Sequence, residues 1–265
     1  MELNDRQVRE LDYHREHAAS RDRIATKISY GIVSDPVRRW WNAYWSIYTI
    51  LLSMNWKEKK ALVVGCGFGQ DAVFLSKMGA DVSAFDLSPD MLSVARDVAN
   101  RAGFAIDFRQ LAAEKLDYPS DFFDLIFVRD ILHHCDIPKS MAELVRVSRP
   151  GAFVVVDEMY THSSVQKLRM SRFVSKWLYP KMVRIIYSGQ KPYITEDERK
   201  LTQHDARLLR QLVPDARCDY FNVFVNRILP DKDLLCKIDR ILIVLLRPLG
   251  GMLGGRLVLT GRVGK

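Results

Sequence analysis

The stretch Ala61-Leu62-Val63-Val64-Gly65-Cys66-Gly67-Phe68-Gly69-Gln70 decides how this chain folds. A short apolar run ends in closely spaced glycines, and a helical pattern follows. That order predicts a buried strand, a tight turn and a helix start. Glycines let a ligand approach the backbone, and the first turn of a helix offers free N–H groups to an anion. A second apolar run, Val82-Ser83-Ala84-Phe85, ends at Asp86. A carboxylate at such a strand end can accept hydrogen bonds from a ribose diol. In the dinucleotide fingerprint the third glycine stands three residues after the second. Here Gln70 holds that place and the glycine is Gly69. The G-x-G-x-G spacing points instead to a nucleoside carrying an amino-acid tail.

Outward from this turn, strands and helices alternate. A helix over 70–78 is stopped by Gly79, and a strand covers 82–85. Ser88-Pro89 opens a helix that runs to about 101 and closes at Gly103. Strands are expected over 105–109 and 124–128. A helix over 138–147 is stopped by Arg149-Pro150-Gly151, and a strand over 153–156 reaches Asp157-Glu158. This alternation predicts an α/β fold: a parallel sheet with helices on both faces.

Before the turn, residues 3–19 are charged and expected to be helical. Ser34-Asp35-Pro36 is a helix-start signal. Trp40, Trp41, Tyr44, Trp45, Ile47, Tyr48, Leu51 and Leu52 then give 37–54 a broad apolar face. These aromatics are expected to pack on the sheet. The sharper alternative has one or two of them roofing a substrate cavity.

After the fifth strand the composition changes. Between Tyr160 and Tyr193 stand Lys167, Arg169, Arg172, Lys176, Lys181, Arg184 and Lys191, with no Asp or Glu. Met170, Phe173, Val174, Trp177 and Leu178 fall on one helical face, and Arg169, Arg172 and Lys176 on the opposite one. Pro180 is expected to break or kink this helix. Thr195-x-x-Glu198 is a capping box, and Thr202 with Asp205 makes a second, opening a helix to about 212. Residues 220–225 alternate like a strand. Leu234, Leu235, Ile238, Ile241, Leu242 and Leu245 mark a last helix, and 256–263 a closing strand.

The formal net charge of the 265 residues is +8, and the basic segment nearly accounts for it, which suggests a negatively charged partner surface. The four cysteines lie far apart with no C-x-x-C pair, as expected of thiols in a reducing compartment. Residues 1–17 are too charged for a signal peptide, and no apolar run approaches the length of a membrane span. The expected location is therefore cytoplasmic, with a membrane-peripheral variant if the basic segment meets lipid. His14 and His17 have helical metal spacing but no clear further ligand, so no metal is expected. Nucleic acid is disfavoured, because aromatics are not interleaved with the exposed basic residues.

Five motifs carry a resemblance. Val64-Gly-Cys-Gly-Phe-Gly69, Phe85-Asp-Leu-Ser-Pro-Asp-Met91, Phe123-Asp-Leu-Ile, Leu132-His-His134 and Arg146-Val-Ser-Arg-Pro-Gly151 occur in order. Together they resemble class I S-adenosylmethionine (SAM)-dependent methyltransferases of the small-molecule branch, ubiquinone-type enzymes among them, over about residues 60–158. The resemblance implies a Rossmann-like, seven-stranded, mostly parallel sheet whose last strand inserts antiparallel beside the fifth. It implies one domain over 1–265: an N-terminal helical cap (1–56), a SAM-binding core (57–158), a helical substrate cover (159–214) and closing strands with a helix (215–265).

It also implies roles. Gly65, Cys66, Gly67 and Gly69 would line the methionine tail and ribose. Asp86 would bind the ribose hydroxyls, with Leu87 and Met91 against the adenine and Ala113-Glu114 at its edge. Arg129 sits where the chain passes the methionine end. Two positions depart from the pattern: Val63 stands where an acid usually holds the cofactor's amino group, and Ala112 where Asp is common. Asp130 or Asp71 could compensate.

Methyl transfer from a sulfonium is an in-line displacement that depends mainly on alignment. A general base is needed only when the nucleophile arrives protonated. His133 and His134, after the fourth strand, are the candidates, with a backbone-orienting role as the structural alternative. Tyr13, Glu158 and Tyr160 are candidate substrate contacts. The expected activity is SAM-dependent methylation of an O, N or C nucleophile on a small molecule, an anionic one among the options, yielding S-adenosylhomocysteine. Two alternatives stand beside it. One is a lipid-linked or membrane-presented substrate, or a carrier, met through 160–193. The other is a methyltransferase-fold protein that binds a ligand without methylating.

Overall fold

The computed structural model describes residues 7, 8, 11, 15, 40–181, 199–230 and 232–264. Its centre is a seven-stranded sheet in the order β3-β2-β1-β4-β5-β7-β6. The strands are β1 (Lys60–Val64), β2 (Asp81–Asp86), β3 (Asp107–Gln110), β4 (Phe123–Arg129), β5 (Ser148–Met159), β6 (Arg217–Phe221) and β7 (Arg256–Arg262). β1 to β5 pair in parallel, and β7 runs antiparallel between β5 and β6. The helices are α1 (Ala43–Leu52), α2 (Gln70–Lys77), α3 (Pro89–Ala102), α4 (Ile137–Val147), α5 (Ser163–Arg169), α6 (Gln203–Leu212), α7 (Asp233–Leu245) and α8 (Gly250–Leu253).

The period-two alternation of a strand shows directly in the two cores. Ala61 and Val63 of β1, with Leu125 and Phe127 of β4, face the layer that holds Ile47, Leu51, Phe74 and Leu92 from α1, α2 and α3. Their neighbours Leu62, Val64, Ile126 and Val128 face Met141, Leu144 and Leu209 from α4 and α6. Both faces of the sheet are thus covered, and β1 and β4 read as continuous apolar runs.

Capping chemistry sets the helix ends. Ser88 accepts from the Met91 N–H at 3.3 Å, Pro89 opens α3, and Gly103 closes it in the left-handed conformation. Asp136 caps α4 through the Lys139 N–H at 3.2 Å. The Thr202–Asp205 box is formed at α6, and Arg199 pairs with Asp205 at 3.0 Å.

Several boundaries differ from the sequence expectation. The Ser34-Asp35-Pro36 signal, the helix over 3–19 and the Thr195–Glu198 box lie outside the described residues. Among those described, α1 begins at Ala43, where the Asn42 side chain accepts the Tyr44 N–H at 2.9 Å. The strand expected over 220–225 lies earlier in the chain. Asn222 and Asn226 take left-handed φ values of 62° and 58°, which end the extended run at Phe221. The basic helix is interrupted before Pro180, not at it. A π-helical turn over Val174–Leu178 follows α5, and residues 179–181 are helical. That widened turn accommodates a proline ring that would meet the Lys176 carbonyl in a regular helix.

Candidate active site

A cavity of about 400 Å³ opens at the C-terminal ends of the parallel strands, where ligands bind in open α/β sheets. Gly65, Gly67, Phe85, Asp86 and Leu87 form one wall, and Leu111 to Glu114 its edge. Asp130, Ile131, His133, His134 and Cys135 form the facing wall. Met159, Arg256 and Gln7 complete it.

The glycine wall is built for close approach. Gly65 has φ 61°, and a Cβ there would stand 2.5 Å from Ile131 Cγ1. Gly67 has φ 50°, and a Cβ there would meet nothing within 4 Å, so its backbone faces open space. The Gly67 N–H donates to Asp86 Oδ2 at 2.8 Å, and the Ser88 N–H donates to Oδ1 at 2.9 Å. Two backbone donors therefore aim the Asp86 carboxylate at the cavity edge.

Gly69 does a different job. A Cβ there would sit 2.9 Å from Ala95 Cβ, so this glycine lets α2 close on α3 and does not line the cavity. Cys66 and Met91 are likewise buried behind the wall. Burial, reinforced by Asp86, pushes the Cys66 thiol well up, so it stays protonated. Leu87 and Ala113 line the cavity as expected from their positions, as does Glu114, whose Oε1 accepts the Asp136 N–H at 2.8 Å.

The facing wall hangs on Glu158. This carboxylate is fully buried; its Oε1 accepts the N–H groups of Ile131 and Leu132, each at 2.6 Å. Its Oε2 lies 2.8 Å from His133 Nδ1. Glu158 thus touches no open space: it shapes the turn after β4 and orients one histidine. The His134 ring centroid lies 3.9 Å from that of His133, with the two rings tilted by 46°.

Other candidates are placed elsewhere. Arg129 turns away from the cavity to bind Asp71 at 2.8 Å, with its guanidinium 4.3 Å from the Tyr44 ring centroid. Burial disfavours its charge, but the Asp71 carboxylate more than restores it and raises its pKa. Tyr160 is buried and donates from its hydroxyl to the Gly251 carbonyl at 2.6 Å, tying β5 to α8. Neither lines the cavity. The α1 aromatics also pack inward. Tyr48 lies 4.3 Å from Phe74 and bonds to Asp71. Of the cover expected over 159–214, Met159 lines the cavity; among the described residues of 160–181 and 199–214 none does, α5 buries no residue, and residues 182–198 lie outside the described residues. Tyr13, His14 and His17 lie outside the described residues. Among those described, no group of His, Cys, Asp and Glu could hold a metal ion.

The third wall was largely invisible in the sequence. Arg256, at the start of β7, makes a bidentate pair with Asp130 at 2.8 Å and reaches Asp157 at 2.5 Å. The β5–β7 register sets Arg256 opposite Met159. Asp130 itself has φ 54°. A basic residue opening the closing strand was the only signal, and it acquires meaning only through that antiparallel pairing.

Residues 62–156 match a family model described as a methyltransferase domain. The chain is 37% identical to a ubiquinone biosynthesis O-methyltransferase of Methylococcus capsulatus, over 36% of this chain and 41% of that protein. It is 27% identical to a ubiquinone/menaquinone biosynthesis C-methyltransferase of Nitrosospira multiformis, over 83% of this chain and 92% of that one. Over residues 62–156 the chain is thus similar to a methyltransferase domain. The fold agrees: a SAM-dependent methyltransferase structure from Aquifex aeolicus superposes with TM-score 0.50 at 18% identity, covering 89% of this chain and all of that one (100%).

The cofactor of such a domain is S-adenosylmethionine, and the residues present fit it. The open space over the Gly67 backbone leaves room for a ligand that a side chain would fill. Asp86 stands beside it with acceptor capacity left after its two backbone bonds. Val63, where the resemblance implies an acid, is buried in the sheet. Asp71 is held by Tyr48 and Arg129 and does not line the cavity. Asp130 does face the cavity.

Proposed function

We propose that this chain transfers a methyl group from SAM to a small molecule whose accepting atom arrives protonated, as a hydroxyl or an acidic C–H. One observation carries the reading: His133, held from behind by Glu158, lines the same cavity as the Gly67–Asp86 cradle. The bound cofactor supplies an electrophilic methyl on a sulfonium. The protein's part is to align, to shield and to take a proton.

Asp86 accepts from the ribose hydroxyls, and Leu87, Leu111 and Ala113 give the adenine an apolar seat. Asp130 and Arg256 present opposite charges at one wall, matching the ammonium and carboxylate of an amino-acid tail. This arrangement supports Asp130 as the acid in place of Val63. His133 donates its Nδ1–H to the buried Glu158 carboxylate, which fixes the tautomer and makes Nε2 the basic ring nitrogen. His134 is the second candidate.

Calorimetry with SAM and S-adenosylhomocysteine tests the first step. Binding of both is expected, about tenfold or more weaker in Asp86→Ala and in Asp130→Asn, since each removes a charged partner. Asn tolerates the left-handed backbone of Asp130, so that variant isolates the charge. No binding at millimolar concentration would sink the reading. Transfer of labelled methyl to an acceptor in cell extract tests the second step. Binding without transfer to any acceptor would leave a ligand-binding protein on this fold.

A further inference from the structure

The large hydrophobic side chains left exposed by this fold are not scattered. Among the described residues none occurs between 53 and 167, while most lie between 168 and 252. Met170, Phe173 and Trp177, in the stretch from α5 through the π-helical turn, are about 70% exposed (70%, 70% and 69%). On α7, Leu234, Ile238, Ile241 and Leu245 repeat at helical spacing, and Leu234 and Leu245 are 69% and 72% exposed. The two stretches are joined: α8 packs against both α5 and α7. Together they make one apolar face that the other described residues leave exposed.

The charge around this face selects its occupant. Lys167, Arg172, Lys176 and Lys181 are exposed along the first stretch, in a segment without Asp or Glu from 160 to 193, and Arg247 is exposed after α7. A second copy of the chain docking there would set these cations against their own images. An anionic bilayer surface answers both features: acyl chains receive Phe, Trp, Leu and Met, and headgroups receive Lys and Arg. The helices are too short to span; no helix among the described residues is long and apolar enough to cross a membrane. The geometry here is that of a helix pair lying in the interface.

The face adjoins the cavity. The Tyr160 hydroxyl bonds the Gly251 carbonyl of α8, and the residue before Tyr160, Met159, lines the cavity with Arg256. We propose that residues 163–181 and 233–253 dock this protein on an anionic lipid bilayer, with the cavity drawing an apolar-tailed substrate from it. The substrate part rests on the cavity being the methyl-transfer site; the docking part does not.

The test uses the full chain with vesicles of phosphatidylcholine alone or mixed with phosphatidylglycerol. Co-sedimentation with the anionic vesicles at low salt is expected, with little on neutral vesicles and release at high salt. The double variant Phe173→Glu/Trp177→Glu should lose about tenfold or more of that partition, and Leu245→Glu should act likewise. SAM affinity of these variants, measured in parallel, should match the unaltered protein and shows that they fold. Equal partition to neutral and anionic vesicles, no partition, or variants that bind as the unaltered chain does would overturn the docking. A lipid-free dimer that Trp177→Glu converts to monomer would also overturn it, in favour of a second copy. Loss of SAM binding in the unaltered chain strikes the methyl-transfer reading and leaves the docking result intact.

Discussion

The sheet with its flanking helices and the segment after β5 use the same sequence signal for different ends. Apolar residues at helical spacing mark α3 and α4, and they mark α5 and α7 as well. In α3 and α4 that face is buried: Leu92, Val98, Met141 and Leu144 are all below a tenth exposed, at 1%, 7%, 1% and 2%. In α5 no residue is buried, and in α7 only Cys236, Asp239 and Ile243 are. Periodicity therefore reports amphipathicity, not what the apolar face meets. A sheet answers the first pair of helices; among the described residues nothing answers the second.

Core truncation should give the largest effect. Phe127 of β4 is 1% exposed, so Phe127→Ala should cost about 3–5 kcal/mol in urea melts. Phe173→Ala, at a site 70% exposed, should stay within about 0.5 kcal/mol. A loss at Phe173 comparable with that at Phe127 would break the comparison, because it would make the outer segment part of the folded core.

Next comes the wall that both chemistry and structure share. Glu158→Gln keeps the size of the side chain but removes the charge facing His133, and should lower kcat about 10²-fold or more with little change in SAM affinity. His133→Gln should cost a similar factor, and the double variant no more than either alone, since the two act as one unit. Additive losses would separate them and assign Glu158 a purely architectural role.

A smaller effect sharpens the boundary between the two regions. α6 is the last capped helix packed on the sheet before the closing strands, and Asp205 is its capping acid. Burial alone would raise the Asp205 pKa, but Arg199 and the Thr202 N–H and hydroxyl reverse this and hold it below its usual value. A lowered carboxyl pKa contributes stability that is present above the unfolded value and lost as pH falls through the folded one. Asp205→Ala should therefore cost about 1–2 kcal/mol near neutrality, and the difference from the unaltered protein should vanish in acid.

The legible part of this molecule was local. The strand–glycine–helix run, the Ser88-Pro89 and Thr202–Asp205 caps and the alternation of elements all depend on residues a few positions apart. Placement of Gly65, Gly67, Asp86, His133 and His134 around one cavity followed because each lies just beyond a parallel strand. What sequence reasoning missed depends on residues far apart. Arg129 was expected at the cofactor, yet its partner is Asp71, 58 positions away. Arg256 was not expected there at all, because Asp130 lies 126 positions from it. Glu158 was expected to touch substrate; it instead folds back 26 residues to the Leu132 N–H. No spacing rule encodes such pairs, because the sheet order that joins them is set by the whole chain.

The smallest effect concerns one of those distant pairs. Tyr44 and Tyr48 of α1 lie over the Asp71–Arg129 pair, and burial, then the Asp71 charge, pushes the Tyr44 phenol up to about 12. Tyr48 moves in the same direction for the same causes. A phenol held neutral in the fold but free to ionise in the unfolded chain contributes stability that is complete below the unfolded pKa, 10, and lost as pH rises through about 12. Stability should thus be flat through neutrality and fall across that alkaline window. Tyr44→Phe should flatten part of the fall while leaving neutral-pH stability within about 1 kcal/mol. Absorbance titration of the native protein should find these phenols ionising later than the rest. If they ionise with the exposed tyrosines, α1 is not closed over Asp71, and the buried region ends one helix sooner than the structure places it.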